Sequence, residues 1–142
     1  MYAPLSRLVE PTYAILRIVV GLLFAFHGAQ KLFGMFDGTA RPLASLMGLA
    51  GIIEFAGGVL VMIGFLAGLV AFIASGQMAF AYFLAHAPRG AWPIENEGEL
   101  AALFCFVFLF ISARGAGILS VDAALFRRSR SISSAAEGWS RA

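Results

Sequence analysis

Polar side chains are sparse along this chain and fall at particular places in long apolar runs. From about Tyr13 to Phe33, only Arg17 near the start and His27, Gln30 and Lys31 near the end are polar. A second run, about Leu43 to Phe65, has Glu54 near its middle. A third, about Leu66 to Ala87, carries Ser75, Gln77, Tyr82 and His86. These three have the ~20 residues that a spanning helix needs. A fourth, Glu99 to Ala113, is shorter and reaches spanning length only by borrowing Gly98 before it and Gly115 to Leu119 after it. The breaks carry turn chemistry: Asp37-Gly38 and Arg41-Pro42 in one, Pro88-Arg89-Gly90 and Trp92-Pro93 in another. Only Gly64 to Gly68 separates the second and third runs, which predicts a tight hairpin. Strands of a membrane barrel would alternate in polarity over ~10-residue segments, and these runs do not. The pattern therefore predicts an all-α, integral membrane four-helix bundle within residues 1–125, with spans at about 13–33, 43–65, 66–87 and 99–119. Residues 126–142, basic and Ser-rich, are expected to form a disordered tail.

Composition points the same way. The 142-residue chain is 61% hydrophobic and 13% charged, whereas soluble domains are about 45–50% apolar and about 25% charged. A net charge of +2 gives no reason to expect a nucleic acid partner. The single cysteine, Cys105, excludes an internal disulfide, a CxxC redox pair and a cysteine metal cluster. No metal, haem or flavin motif is visible, so no cofactor is evident. The first run lacks an A-x-A-like cleavage site after it and reads as a retained span.

Orientation follows from the basic residues. Four spans put both termini and the 64–68 turn on one side, with Arg7, Arg114, Arg127, Arg128, Arg130 and Arg141. The other side has Arg41 and Arg89, with Lys31 at a span end. The excess of Lys and Arg in cytoplasmic segments makes the first side cytoplasmic. The expectation is a multi-pass protein of the bacterial inner membrane with both termini cytoplasmic. Its outer loop is acidic (Glu95, Glu97, Glu99) and carries Trp92 where an interfacial anchor belongs.

With about 1.5 Å of rise per residue, His27, Gln30, Lys31, Tyr82, His86 and Glu99 share the outer half of such a bundle. Glu54 and Gln77 lie just beneath them as a floor. His27 and Lys31 are one helical turn apart and stack on one face; Gly51, Glu54 and Gly58 share a stripe, as do Ser75, Met78, Tyr82 and His86. An ionisable residue inside a membrane is costly and marks a site. The eight residues are the candidate pocket, with Arg89, Trp92 and Asn96 as loop candidates. For Lys31 and His86, snorkelling to headgroups competes with this reading, and Tyr82 also suits an interfacial aromatic. Glu54 is too deep to snorkel and must be paired, with Arg17, Lys31 or His27, or held neutral. Arg17, near the inner interface, reads as structural. Cys105 reads as a small core residue.

The chain resembles the DoxX family of small bacterial membrane proteins over about residues 12–125. The resemblance rests on LRIVVGLLFAFHGAQKLFG (16–34), GIIEFAGGVLVMIGF (51–65), GQMAFAYFLAHAPRGAWPIENEGELAALFCFVFL (76–109) and ARGAGILSVDA (113–123). It implies four spans and kinship with subunits of a thiosulfate:quinone oxidoreductase and of a membrane oxidoreductase complex. It carries no catalytic residue onto this chain.

Three functions are compatible with these residues. The first is a subunit of, or accessory to, a quinone-linked oxidoreductase system, thiosulfate- or thiol-related, with partner subunits and quinone as substrate. Histidine, tyrosine and glutamate near an interface supply the hydrogen bonds and protons that quinone carbonyls need. The second is a small-anion or small-molecule binder or carrier using His27, Lys31 and Arg89. The third is a structural subunit, in which the polar cluster is interhelical glue. The lipid bilayer is a partner in every case, and a homo-oligomer is compatible with each.

Overall fold

The computed structural model describes residues 3–125. The expected tail, with Arg127, Arg128, Arg130 and Arg141, lies outside the described residues. After a single helical turn at Ala3–Ser6, four long helices follow: α1 (Val9–Phe33), α2 (Leu46–Ile63), α3 (Ala67–Ala81) and α4 (Glu99–Arg114). No strand occurs among the described residues.

Local chemistry sets the boundaries. Gly34, at φ 68°, ends α1 in the left-handed conformation that a glycine adopts without strain. Ser45 starts α2 as an N-cap, its hydroxyl accepting from the Gly48 N–H at 3.0 Å. α3 continues through one wide π turn, Tyr82–His86, and a 3-10 turn, Ala87–Arg89. The third apolar run is therefore helical throughout but changes its phase at Tyr82. α4 stops at Arg114, five residues short of the expected end at 119. Gly115, Gly117 and Leu119 all have positive φ, which cannot propagate a right-handed helix.

Helices α1, α2 and the α3 continuation to Arg89 are each long and apolar enough to cross a membrane. Only about a third of each spanning window is buried inside the protein. The outward faces carry Leu, Ile, Val and Phe, such as Ile15, Leu69, Phe72 and Phe106 at 61–69% exposure. An apolar surface of that extent fits lipid rather than water. α4 has 16 residues and packs with the others.

Packing pairs the helices as α1 on α2 and α3 on α4. The α2–α3 connection is tight as expected, yet these two helices diverge from it and touch comparatively little. The cause is a small-residue seam elsewhere. A Cβ on Gly28 would lie 2.2 Å from the Phe55 nitrogen, and one on Gly58 would lie 2.5 Å from the Ala25 nitrogen. Backbones of α1 and α2 therefore touch directly, as small residues permit in membrane helices. The bundle closes through Phe24 of α1, whose ring sits 5.4 Å from Phe104 and 4.6 Å from Phe108 of α4.

One end of the bundle is sealed by the chain after α4. Arg17 is fully buried there. It donates to the carbonyls of Val61 (2.6 Å), Met62 (2.9 Å) and Leu119 (2.8 Å). The first two lie in the last turn of α2, where a cation is favoured by the helix dipole. Asp122 accepts from the Leu66 and Ala67 N–H groups at 2.9 and 3.2 Å and so caps α3 from 55 residues away. Arg17 is thus a structural clamp.

Candidate functional site

At the other end, Glu54 sits mid-way along α2 between the seam glycines Gly51 and Gly58 and is 1% exposed. A Cβ on Gly51 would lie 3.0 Å from Lys31 Cβ. The bare glycine lets Lys31, in the last turn of α1, lie over α2 and reach the carboxylate. Its ammonium donates to both oxygens of Glu54. Gln77 of α3 adds an Nε2 donor to Glu54 Oε1 at 3.2 Å. Three helices thus meet at one buried carboxylate, and among the three partners open to Glu54 the structure selects Lys31.

This cluster forms part of the wall of a cavity of about 670 Å³. Its polar lining is His27, Lys31, Glu54, Gln77, His86 and Glu97; the remainder is apolar, with Phe24 and Phe104 inside and Met47, Leu49, Phe80 and Leu84 toward the gap between α2 and α3. Leu49 and Phe80 are 53% and 55% exposed, so the cavity communicates with the apolar surroundings of the bundle. The candidate residues by themselves describe a polar pocket. The cavity is instead chiefly apolar, because the diverging faces of α2 and α3 are apolar.

The remaining candidates divide. His27 lines the cavity, one turn before Lys31, with its ring edge-on to Phe104 at 6.0 Å. Gln30 turns away toward the following loop, where it donates to the Phe36 carbonyl at 3.4 Å. The π turn holds Tyr82 and His86 in a stacked pair 6.3 Å apart. Such turns are frequent at functional sites. Tyr82 meets the Asn96 amide at 3.4 Å rather than lining the cavity. Asn96 is 1% exposed and organises the loop, donating to the Gly90 carbonyl and accepting from the Gly98 N–H, each at 2.9 Å. Arg89 reaches His86 Nδ1 at 2.8 Å and Glu97 at 3.1 Å. Glu99, at the start of α4, and Trp92 are exposed. Glu97 was legible only as one of three loop acids, since nothing in the spacing separates it from Glu95 or Glu99.

The DoxX family profile matches residues 12–87. A protein of Haemophilus influenzae, described as uncharacterized, is 38% identical over 122 residues, covering 81% of this chain and 91% of its own length. The chain belongs to the DoxX family. The family match spans α1, α2 and α3 with its π turn, and so contains Lys31, Glu54, Gln77 and both histidines. No solved structure matches the chain significantly. Within this DoxX protein, the arrangement is a buried, hydrogen-bonded ion pair facing an apolar cavity. It can offer a proton donor, a proton acceptor and directional hydrogen bonds to a lipophilic molecule.

Proposed function

We propose that this DoxX protein binds a quinone-type molecule in the cavity, as a membrane subunit of, or accessory to, a quinone-linked oxidoreductase system of the bacterial inner membrane. The observation that carries the reading is the Lys31–Glu54–Gln77 cluster on the wall of an otherwise apolar cavity. About 670 Å³ is within the range of roughly 300–1,000 Å³ of small-molecule sites, which pair apolar walls with a few polar groups. The anion reading has less support, because Lys31 is already paired with Glu54 and Arg89 with Glu97. Glue alone is a weak reason to keep the cluster: an ionic residue costs roughly 2.5–3.5 kcal/mol at mid-span, against roughly 0.6 kcal/mol for a mean interhelical hydrogen bond.

The same proposal takes α4 as a fourth crossing with both termini cytoplasmic. Sixteen residues give about 24 Å of helix, and Tyr13 to Gly115 and Arg114 to Glu10 contacts join the start of α1 to the end of α4. The direct test is purification in nanodiscs followed by titration with decylubiquinone. Saturable binding that Glu54→Gln weakens, with folding intact, supports the proposal. Wild-type protein that takes up no quinone from its membranes and binds none on titration refutes it.

A further inference from the structure

The cavity wall contains a hydrogen-bond acceptor that nothing among the described residues uses. Gln77 Oε1 is buried and has no partner among the described residues. The amide orientation is determined by its neighbour. Glu54 is a carboxylate bonded by an ammonium on both oxygens, so it only accepts, and the Gln77 side facing it must be the NH₂. The carbonyl end is thereby turned away from Glu54. Beside it, the Lys31 ammonium has three donors, of which the two Glu54 oxygens take at most two. Lys31 Nζ and Gln77 Nε2 both bond the same oxygen, Glu54 Oε1, so the Lys31 ammonium and the Gln77 side-chain amide are neighbours in the cavity wall.

A group that satisfies both must accept and donate at once. A quinone carbonyl accepts only; a quinol hydroxyl does both. We infer that this DoxX protein binds the reduced, hydroxyl-bearing quinol more tightly than the oxidised quinone, with Gln77 Oε1 as the group that distinguishes them. The inference rests on the quinone reading of the cavity and names the redox form the site prefers. Phe24 and Phe104 supply the aromatic wall for the ring in either form. A buried acceptor left unpaired is penalised and a made hydrogen bond is rewarded, which sets the preference at about tenfold, or about 1.4 kcal/mol. For a two-electron couple, tenfold tighter binding of the reduced form raises the midpoint potential of the bound couple by about 30 mV.

The test titrates wild-type protein in nanodiscs with decylubiquinol under anaerobic conditions and with decylubiquinone, and repeats both with Gln77→Met. The expected result is about tenfold tighter quinol than quinone binding in wild type, a difference that Gln77→Met abolishes. The wild-type comparison stands even if the variant fails to fold. Equal wild-type affinities, or tighter quinone binding, overturn the inference and leave the quinone reading intact. Binding of neither form overturns both. A redox titration of the bound couple gives an independent readout: a potential unshifted or lowered relative to the free couple also overturns it.

Discussion

Breaking the Lys31–Glu54 pair from either side should cost different amounts. The Glu54 side chain is 1% exposed and the Lys31 side chain 24% exposed. Removing one partner of a fully buried pair costs about 3–5 kcal/mol, because the other charge is stranded. Lys31→Met leaves the carboxylate in that position, held only by Gln77, so about 3–4 kcal/mol is expected. Glu54→Gln strands a lysine that already reaches solvent and sits in the last turn of α1, where it can snorkel; about 1–2 kcal/mol is expected once that exposure is allowed for. The double variant removes both charges and should cost less than the sum, with a coupling of about 1–3 kcal/mol for groups in direct contact. Reversible unfolding in mixed micelles, read by far-UV circular dichroism, measures all four corners. Glu54→Gln costing as much as Lys31→Met, or strictly additive effects, would refute the argument from unequal burial.

Three further outcomes follow from the packing. Gly28→Ala should destabilise by about 1–3 kcal/mol or more through overpacking, since its Cβ meets backbone; Gly76→Ala, with nothing within 4 Å, should gain roughly 0.5–1 kcal/mol from helix propensity, and the same unfolding assay compares them. Asp122→Ala should cost about 0.5–2 kcal/mol as a lost N-cap, with hydrogen exchange quickening first at the Leu66 and Ala67 amides. A C-terminal fluorescent-protein fusion should glow and an alkaline phosphatase fusion stay inactive; the reverse pattern would place the C-terminus outside and refute four crossings with both termini cytoplasmic.

Much of this protein is readable without coordinates, and the reason is solvent. Lipid forces backbone groups to bond within their own helix, so long apolar runs announce the helices and Gly34, Pro42 and Gly64 announce their ends. The same logic marks Lys31 and Glu54, because charge in such runs is costly and conspicuous. Which groups meet is a different question. Glu54 had three possible cations, and the choice of Lys31 depends on the bare face of Gly51, a contact between residues distant in sequence. That Gln30 faces a loop, that Asp122 caps α3 and that the cavity is apolar all follow from helix phase and from two hairpins diverging at α2 and α3. Periodicity along one helix carries no information about its rotation against another. That rotation comes from interlocking backbones at Gly21, Gly28 and Gly58, and only the tertiary structure decides it.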